Sequence, residues 1–286
     1  MDITNATLTT TSSHASQDFL DEATAKYLPV VFASFIVSCF MVFVMSPFLS
    51  AKYVPAYNKL SPYEQGDWNT RMVSMFHASI VSIISVYNLI NDNKISEDTL
   101  WGTSDLSRIN VCIISGYMMA DLIAMIMWFP LRESWIYFLH HIAVLYPFLN
   151  NVVFGVLTYF TNIRILAECS TVFVNNRWLM SVLGHRDSKW YMINGITMVF
   201  VFFSCRLAIL LPYYTVAYQT IGRAVAALPT VLIVAWIPCG FIMDILNLYW
   251  FRKMFNGAKN MLLAEQTKDN SDDSVQKRVT NRVKGE

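Results

Sequence analysis

Charge is scarce in this sequence. Asp, Glu, Lys and Arg make up 14% of its 286 residues and hydrophobic residues 55%, whereas about a quarter of an ordinary soluble domain is charged. The charges are also displaced toward one end. From Arg252 onward the chain is crowded with them, while the apolar runs between Tyr27 and Phe251 hold very few. A large soluble domain is excluded. Nucleic acid is excluded as a partner too, because no basic patch with interleaved aromatics lies outside the apolar segments and the net charge is only +1. Cysteine is equally sparse. Cys39, Cys112, Cys169, Cys205 and Cys239 are odd in number and each sits inside an apolar run, which fits neither a disulfide framework nor a zinc site. No metal is expected. Of the histidines, only His77, His140 and His141 lie in apolar segments, too few for the clustered ligands of a di-iron membrane oxygenase. A seven-helix receptor is poorly supported, since the last apolar segment ends DILNLYWF at 244–251 without an Asn-Pro signature.

What the sequence does have is length of apolar run. Residues 27–49 carry no charge, and about 20 such residues suffice to cross a hydrocarbon core of about 30 Å. Further candidate spans fall at about 72–90, 109–130, 135–160, 163–183, 190–214 and 227–251. Polar residues interrupt the fourth and fifth, so six or eight spans also fit. In lipid only helices or closed barrels satisfy the backbone, and the runs are too long for the ten-residue alternation of a barrel. The expected fold is an all-α integral membrane protein of about seven transmembrane helices.

Residues 1–26 are Ser/Thr-rich without a basic n-region, so they read as a polar tail and not as a signal peptide. Asn5-Ala6-Thr7 is a glycosylation sequon, which suits a lumenal amino terminus. With seven spans, that choice places Lys52, Lys59, Arg71, Arg132, Arg186, Lys189, Arg252, Lys253 and Lys259 in the cytosol. Lys26, Lys94, Arg108, Arg164 and Arg223 fall to the other side. The bias agrees with a cytosolic carboxyl terminus.

Ionisable residues inside spans cost about 2.5–3.5 kcal/mol each on insertion scales. They are His77, Asp121, His140, His141, Arg164, Glu168, Arg206 and Asp244. Arg164, Glu168, Thr171 and Asn175 fall on one face of a regular helix, as do Asn110, Tyr117 and Asp121; Ser74, His77, Ser85 and Asn88 form a looser stripe. Three such stripes turn toward a shared interior. Arg164 and Glu168 are expected to form a neutralised pair, with a further partner because Arg precedes Glu in the poorer i,i+4 order. Arg206 has no local partner; Asp121, Glu168 and Asp244 are all candidates. His140 and His141 point about 100° apart, so one faces the interior, with a slight preference for His141. Each of these groups also has a bland reading as a hydrogen-bonded structural residue.

GYMMADL at 116–122, the pair His140-His141 and NIRILAECSTVFVNNRWLM at 162–180 resemble the TLC domain, the family that includes the ceramide synthases. WNTRMVSMFHAS at 68–79, INGI at 193–196 and the final DILNLYW extend the resemblance over residues 66–255. It divides the chain into a tail (1–26), a first transmembrane helix with an interfacial loop (27–65), a TLC domain of six helices (66–255) and a charged tail (256–286). It implies a TLC-type barrel of six helices around a lipid-accessible cavity, in the endoplasmic reticulum or a related membrane. It also implies membrane lipids as partners, with acyl-CoA and sphingoid lipids as candidate substrates and no cofactor, and leaves homo-oligomerisation open. In ceramide synthases the histidine pair serves acyl transfer from acyl-CoA to a long-chain base. Here the stretch after the pair has Arg164 and Glu168 but lacks the further His-Asp of that branch.

The candidate catalytic residues are therefore His140, His141 and Glu168. The candidate cavity residues are His77, Tyr117, Asp121, Arg164, Asn175, Arg206 and Asp244. Three functions stay open: binding, sensing or modifying an acyl lipid in lipid homeostasis; acyl-CoA-dependent acyl transfer; and a cargo-receptor or assembly role.

Overall fold

The computed structural model describes residues 25–128 and 131–283; the Asn5 sequon and most of the amino-terminal tail lie outside them. The described residues are helical and hold no strand. Helix α1 (Ala25–Tyr53) widens into a π-type turn at Met41–Met45, just before Pro47, which has no N–H to give the preceding turn. Helix α2 (Pro62–Asn91) begins with a capping box: Glu64 N–H donates to Ser61 Oγ, Ser61 N–H donates to the Glu64 carboxylate, and Pro62 is at the first helical position. Helices α3 (Asp105–Trp128) and α4 (Leu131–Phe154) follow.

Gly155 and Leu157, both at positive φ, turn the chain into α5 (Thr158–Ile165). A tight turn at Leu166–Glu168 leads on to α6 (Cys169–Val182). The last two helices are α7 (Lys189–Ala227) and α8 (Thr230–Val283).

Six of these helices are long and apolar enough to cross a membrane. The broken α5–α6 element makes the seventh passage. It runs the length of α2 in the opposite direction, with Ser85 and Asn88 bonded to Asn162 at one end. At the other end, Arg71 donates to Asn175 and Trp68 meets Trp178. It covers the candidate span at 163–183, but neither half is long enough to span alone because the turn at 166–168 divides it. Salt bridges and backbone bonds gather the starts of α1, α3 and α5 and the end of α7 at one end of the bundle. The carboxyl-terminal part of α8 leaves from the opposite end.

The packing closes a ring. In order around it, α2 packs on α3, α3 on α4, α4 on α8, α8 on α7, α7 on α6, and α6 back on α2. Helix α1 lies outside, against α3. A Cβ at Gly116 would stand 2.4 Å from the Val31 carbonyl, so glycine is what allows the two backbones to touch. Ser34 Oγ donates to the Ile113 carbonyl at the same contact, 2.7 Å away.

Candidate functional site

The ring encloses a narrow cavity of about 80 Å³, walled by α4, α5, α7 and α8. Along α8 it extends from Leu232 to Asn247, about 22 Å at 1.5 Å per residue. One half is aromatic and aliphatic, including Phe148, Phe160, Leu232 and Trp236; the other holds His140, Glu168, Arg206 and Asn247.

The two histidines take different roles. His140 lines the cavity, packed edge-on against Trp250 with ring centroids 5.2 Å apart. Its Nδ1 has no hydrogen-bond partner among the described residues. His141 is buried between α3 and α4: Nδ1 bonds the Tyr137 carbonyl at 2.7 Å and Nε2 meets Asp121 Oδ2 at 2.7 Å. Both its ring nitrogens face acceptors, so each contact needs a proton. Whether the second proton sits on the imidazole or on the carboxyl, the pair as a whole is neutral. The preference for His141 as the inward residue is thus reversed.

Arg164 and Glu168 do not pair. Arg164 makes a two-pronged contact with Asp244, with Nη2 to Oδ2 at 3.1 Å, and Tyr214 Oη donates to the same carboxylate. The physical reason is the turn at Leu166–Glu168. A 3₁₀ turn advances a residue further than an α-helix does, so a stripe drawn on one regular helix loses register there. Arg164 points to α8, Thr171 to Arg206 and Asn175 to Arg71. Glu168 is buried, lines the cavity, and has no side-chain ion pair or hydrogen bond among the described residues.

Arg206 sits in a π-type turn of α7, Phe203–Ala208, shortly before Pro212, whose ring leaves the Ala208 carbonyl without its usual donor. It is buried and donates only to neutral acceptors: Ser170 Oγ at 2.9 Å, Asn247 Oδ1 at 3.0 Å, Ala167 O at 3.2 Å and Thr171 Oγ1 at 3.3 Å. Asp121 and Asp244 are committed elsewhere, which leaves the Arg206 guanidinium and the Glu168 carboxyl without ion-pair partners among the described residues of the cavity wall. His77 and Tyr117 lie away from this wall, stacked 3.9 Å apart on α2 and α3, and both nitrogens of buried His77 have no hydrogen-bond partner among the described residues.

Several wall residues carry no sequence signal of their own. Tyr213 and Trp236 read as ordinary filling of apolar spans, yet Trp236 Nε1 donates to Tyr213 Oη at 2.9 Å within the wall. Gly240, one helical turn beyond Trp236, thins the wall where Arg164 passes: a Cβ there would stand 3.3 Å from Arg164 Nη2.

A ring of six helices with a seventh outside, closed around a partly polar cavity, defines a multi-pass membrane protein. Residues 67–256 match the TLC domain, and the chain belongs to that family. It is 35% identical to TLC domain-containing protein 4 of Homo sapiens over 236 residues, 82% of this chain and 90% of that protein. TLC domain-containing protein 4-A of Xenopus laevis is also 35% identical, over 249 residues, 86% of this chain and 96% of that one. TLC domain-containing protein 1 of Gallus gallus is more distant, at 25% over 166 residues, 57% of this chain and 66% of that protein. No solved structure shows significant similarity to the chain.

Proposed function

We propose that this protein binds a single-chain acyl lipid inside the ring and serves lipid homeostasis from the endoplasmic reticulum membrane, with a lumenal amino terminus and a cytosolic carboxyl terminus. The observation that carries the reading is the cavity's two-part wall. An apolar half around Phe148, Phe160, Leu232 and Trp236 suits an acyl chain, and a polar half offers His140, Glu168 and Arg206, which have no ion-pair partners among the described residues. A buried cation with only neutral partners is costly in a membrane and marks a binding site by default.

Mass spectrometry of lipid extracts from the purified protein tests the reading. A defined acyl lipid should co-purify near one per chain and be lost on Trp236→Ala. Recovery of bulk membrane lipids alone, unchanged by that substitution, would refute it. For the orientation, protease treatment of sealed microsomes should remove a tag after Glu286 and spare one before Met1; the reverse pattern overturns it.

One observation favours a second reading, acyl transfer from acyl-CoA. His140 Nδ1 has no hydrogen-bond partner among the described residues, whereas both nitrogens of His141 are committed. In that reading His140 takes the proton from a lipid amine or hydroxyl as it attacks the thioester carbonyl. It then returns the proton to the departing thiolate. Release of free CoA dependent on an added lipid acceptor, and abolished by His140→Gln, would distinguish transfer from binding alone.

A further inference from the structure

A ligand held in this cavity needs a way in, and side chains cover both of its ends. At the end where α5 begins, the segment before α3 forms a cap. Leu100 is fully buried against the cluster of Leu157, Leu228 and Leu232. The cap is pinned by Leu157 N–H to Leu100 O at 2.9 Å, by the Thr99–Thr220 hydroxyl pair at 2.7 Å, and by Arg223 on Asp98 at 3.1 Å. At the other end Trp250 packs against both His140 and Tyr137, and Arg206 ties α7 to Asn247 of α8.

The side wall between α7 and α8 is different. Outside it lies a second pocket of about 340 Å³, lined by Tyr214, Ala217, Tyr218, Ile221, Ile237 and Phe241. The two spaces share three wall residues, Tyr213, Trp236 and Gly240. The wall is one side chain thick. It consists of the Trp236–Tyr213 hydrogen bond and a glycine with no side chain at all. Both flanking helices are membrane spans, and Tyr218 and Phe241 on the pocket's rim are 84% and 54% exposed. What covers this face is therefore the hydrocarbon of the bilayer.

Resting on the cavity reading above, we infer that the outer pocket is a vestibule that takes the acyl chain of a bilayer lipid, and that the chain passes laterally between α7 and α8 into the cavity when the Trp236–Tyr213 contact parts. Arg164 links this wall to the polar half: its guanidinium lies 4.2 Å from the centre of the Tyr213 ring and its Asp244 partner also holds Tyr214.

The test uses the full chain in lipid nanodiscs with a fatty acid carrying a diazirine on its acyl chain, irradiated at timed intervals, and the labelled peptides mapped by mass spectrometry. In the wild type, label should reach Tyr218 or Phe241 first and Phe160 or Met243 later. Ala217→Trp, which fills the vestibule, should slow cavity labelling at least tenfold; Ile237→Trp fills it from the facing helix and serves if the first variant does not fold. Tyr213→Phe, which removes the hydrogen bond and keeps the ring, should speed cavity labelling several-fold. Cavity labelling at the wild-type rate in the filled variants, or no acceleration in Tyr213→Phe, overturns the lateral route and leaves the cavity reading standing. Label confined to the vestibule in the wild type refutes the cavity reading, and the route with it.

Discussion

Arg164 and Arg206 are both guanidiniums turned into the same ring, and they are held in opposite ways. Arg164 faces a carboxylate in a two-pronged contact, and a tyrosine hydroxyl completes the shell of that carboxylate. Arg206 has its N–H groups satisfied by a carbonyl, two hydroxyls and an amide, and makes no ion pair among the described residues. Neutral acceptors satisfy hydrogen bonds but leave the charge in place. The field of Arg206 therefore reaches the cavity it lines, together with the carboxyl of Glu168, while that of Arg164 is cancelled where it arises. The same contrast separates His141, closed between Tyr137 and Asp121, from His140, which faces the cavity. Along the cavity wall, the paired groups hold the ring together, and the unpaired Arg206 and His140 face its contents.

The largest expected effect comes from breaking the paired side. Asp244→Asn leaves a guanidinium that cannot lose its proton without a counter-charge, and removing one partner of a buried pair costs about 3–5 kcal/mol. Thermal unfolding in detergent should show this loss. Arg164→Met combined with Asp244→Asn should recover much of it, because replacing both partners costs far less than removing one. Equal damage from the single and double variants would show that Arg164 is not held by this pair.

A smaller effect is expected at the other pair. Asp121→Asn offers His141 Nε2 an amide donor in place of a carboxylate, and imidazole, unlike guanidinium, can shed its proton to suit. The Tyr137 contact at Nδ1 survives. The loss should be about 1 kcal/mol, the usual net worth of one hydrogen bond, measured in the same unfolding assay. A loss as large as that of Asp244→Asn would mean that the His141–Asp121 contact works as a charge pair and that its proton cannot leave.

The sequence made the membrane class legible because long apolar runs, six of which form helices of spanning length, survive any detail of packing. The helix limits were less so. Apolar content places the start of α2 near residue 72, whereas the helix begins at Pro62, since its first turns are polar and lie beyond the apolar stretch. The Ser61–Glu64 spacing was a usable signal for that start. Charge partners were harder still. The i,i+4 spacing of Arg164 and Glu168 assumes an unbroken helix, and nothing in the local sequence announces the tight turn at Leu166–Glu168 that separates them. The 100° divergence of His140 and His141 follows from helix geometry. Which of them faces inward depends on the rotation of α4, fixed by Asp121 on another helix.

The smallest effect on stability, and the sharpest on function, is expected at His140. Its Nδ1 has no hydrogen-bond partner among the described residues, and its ring meets those of Trp250 and His141 edge-on. Gln at this position keeps a polar group of similar reach and breaks no ion pair, so the folded protein should lose less than about 1 kcal/mol. His141→Gln, by contrast, disturbs two hydrogen bonds at once between α3 and α4. Its loss should be about 2 kcal/mol, two bonds at about 1 kcal/mol each. The order reverses for function. His140→Gln should lower retention of the co-purifying lipid at least tenfold, because the substitution changes the polar half of the cavity directly. His141→Gln should retain lipid in proportion to its folded fraction. Measuring unfolding and bound lipid on the same preparations separates the two outcomes. If His140→Gln unfolds early and His141→Gln loses lipid while fully folded, the division between paired and unpaired groups is wrong at the residue pair where it is most exposed to test.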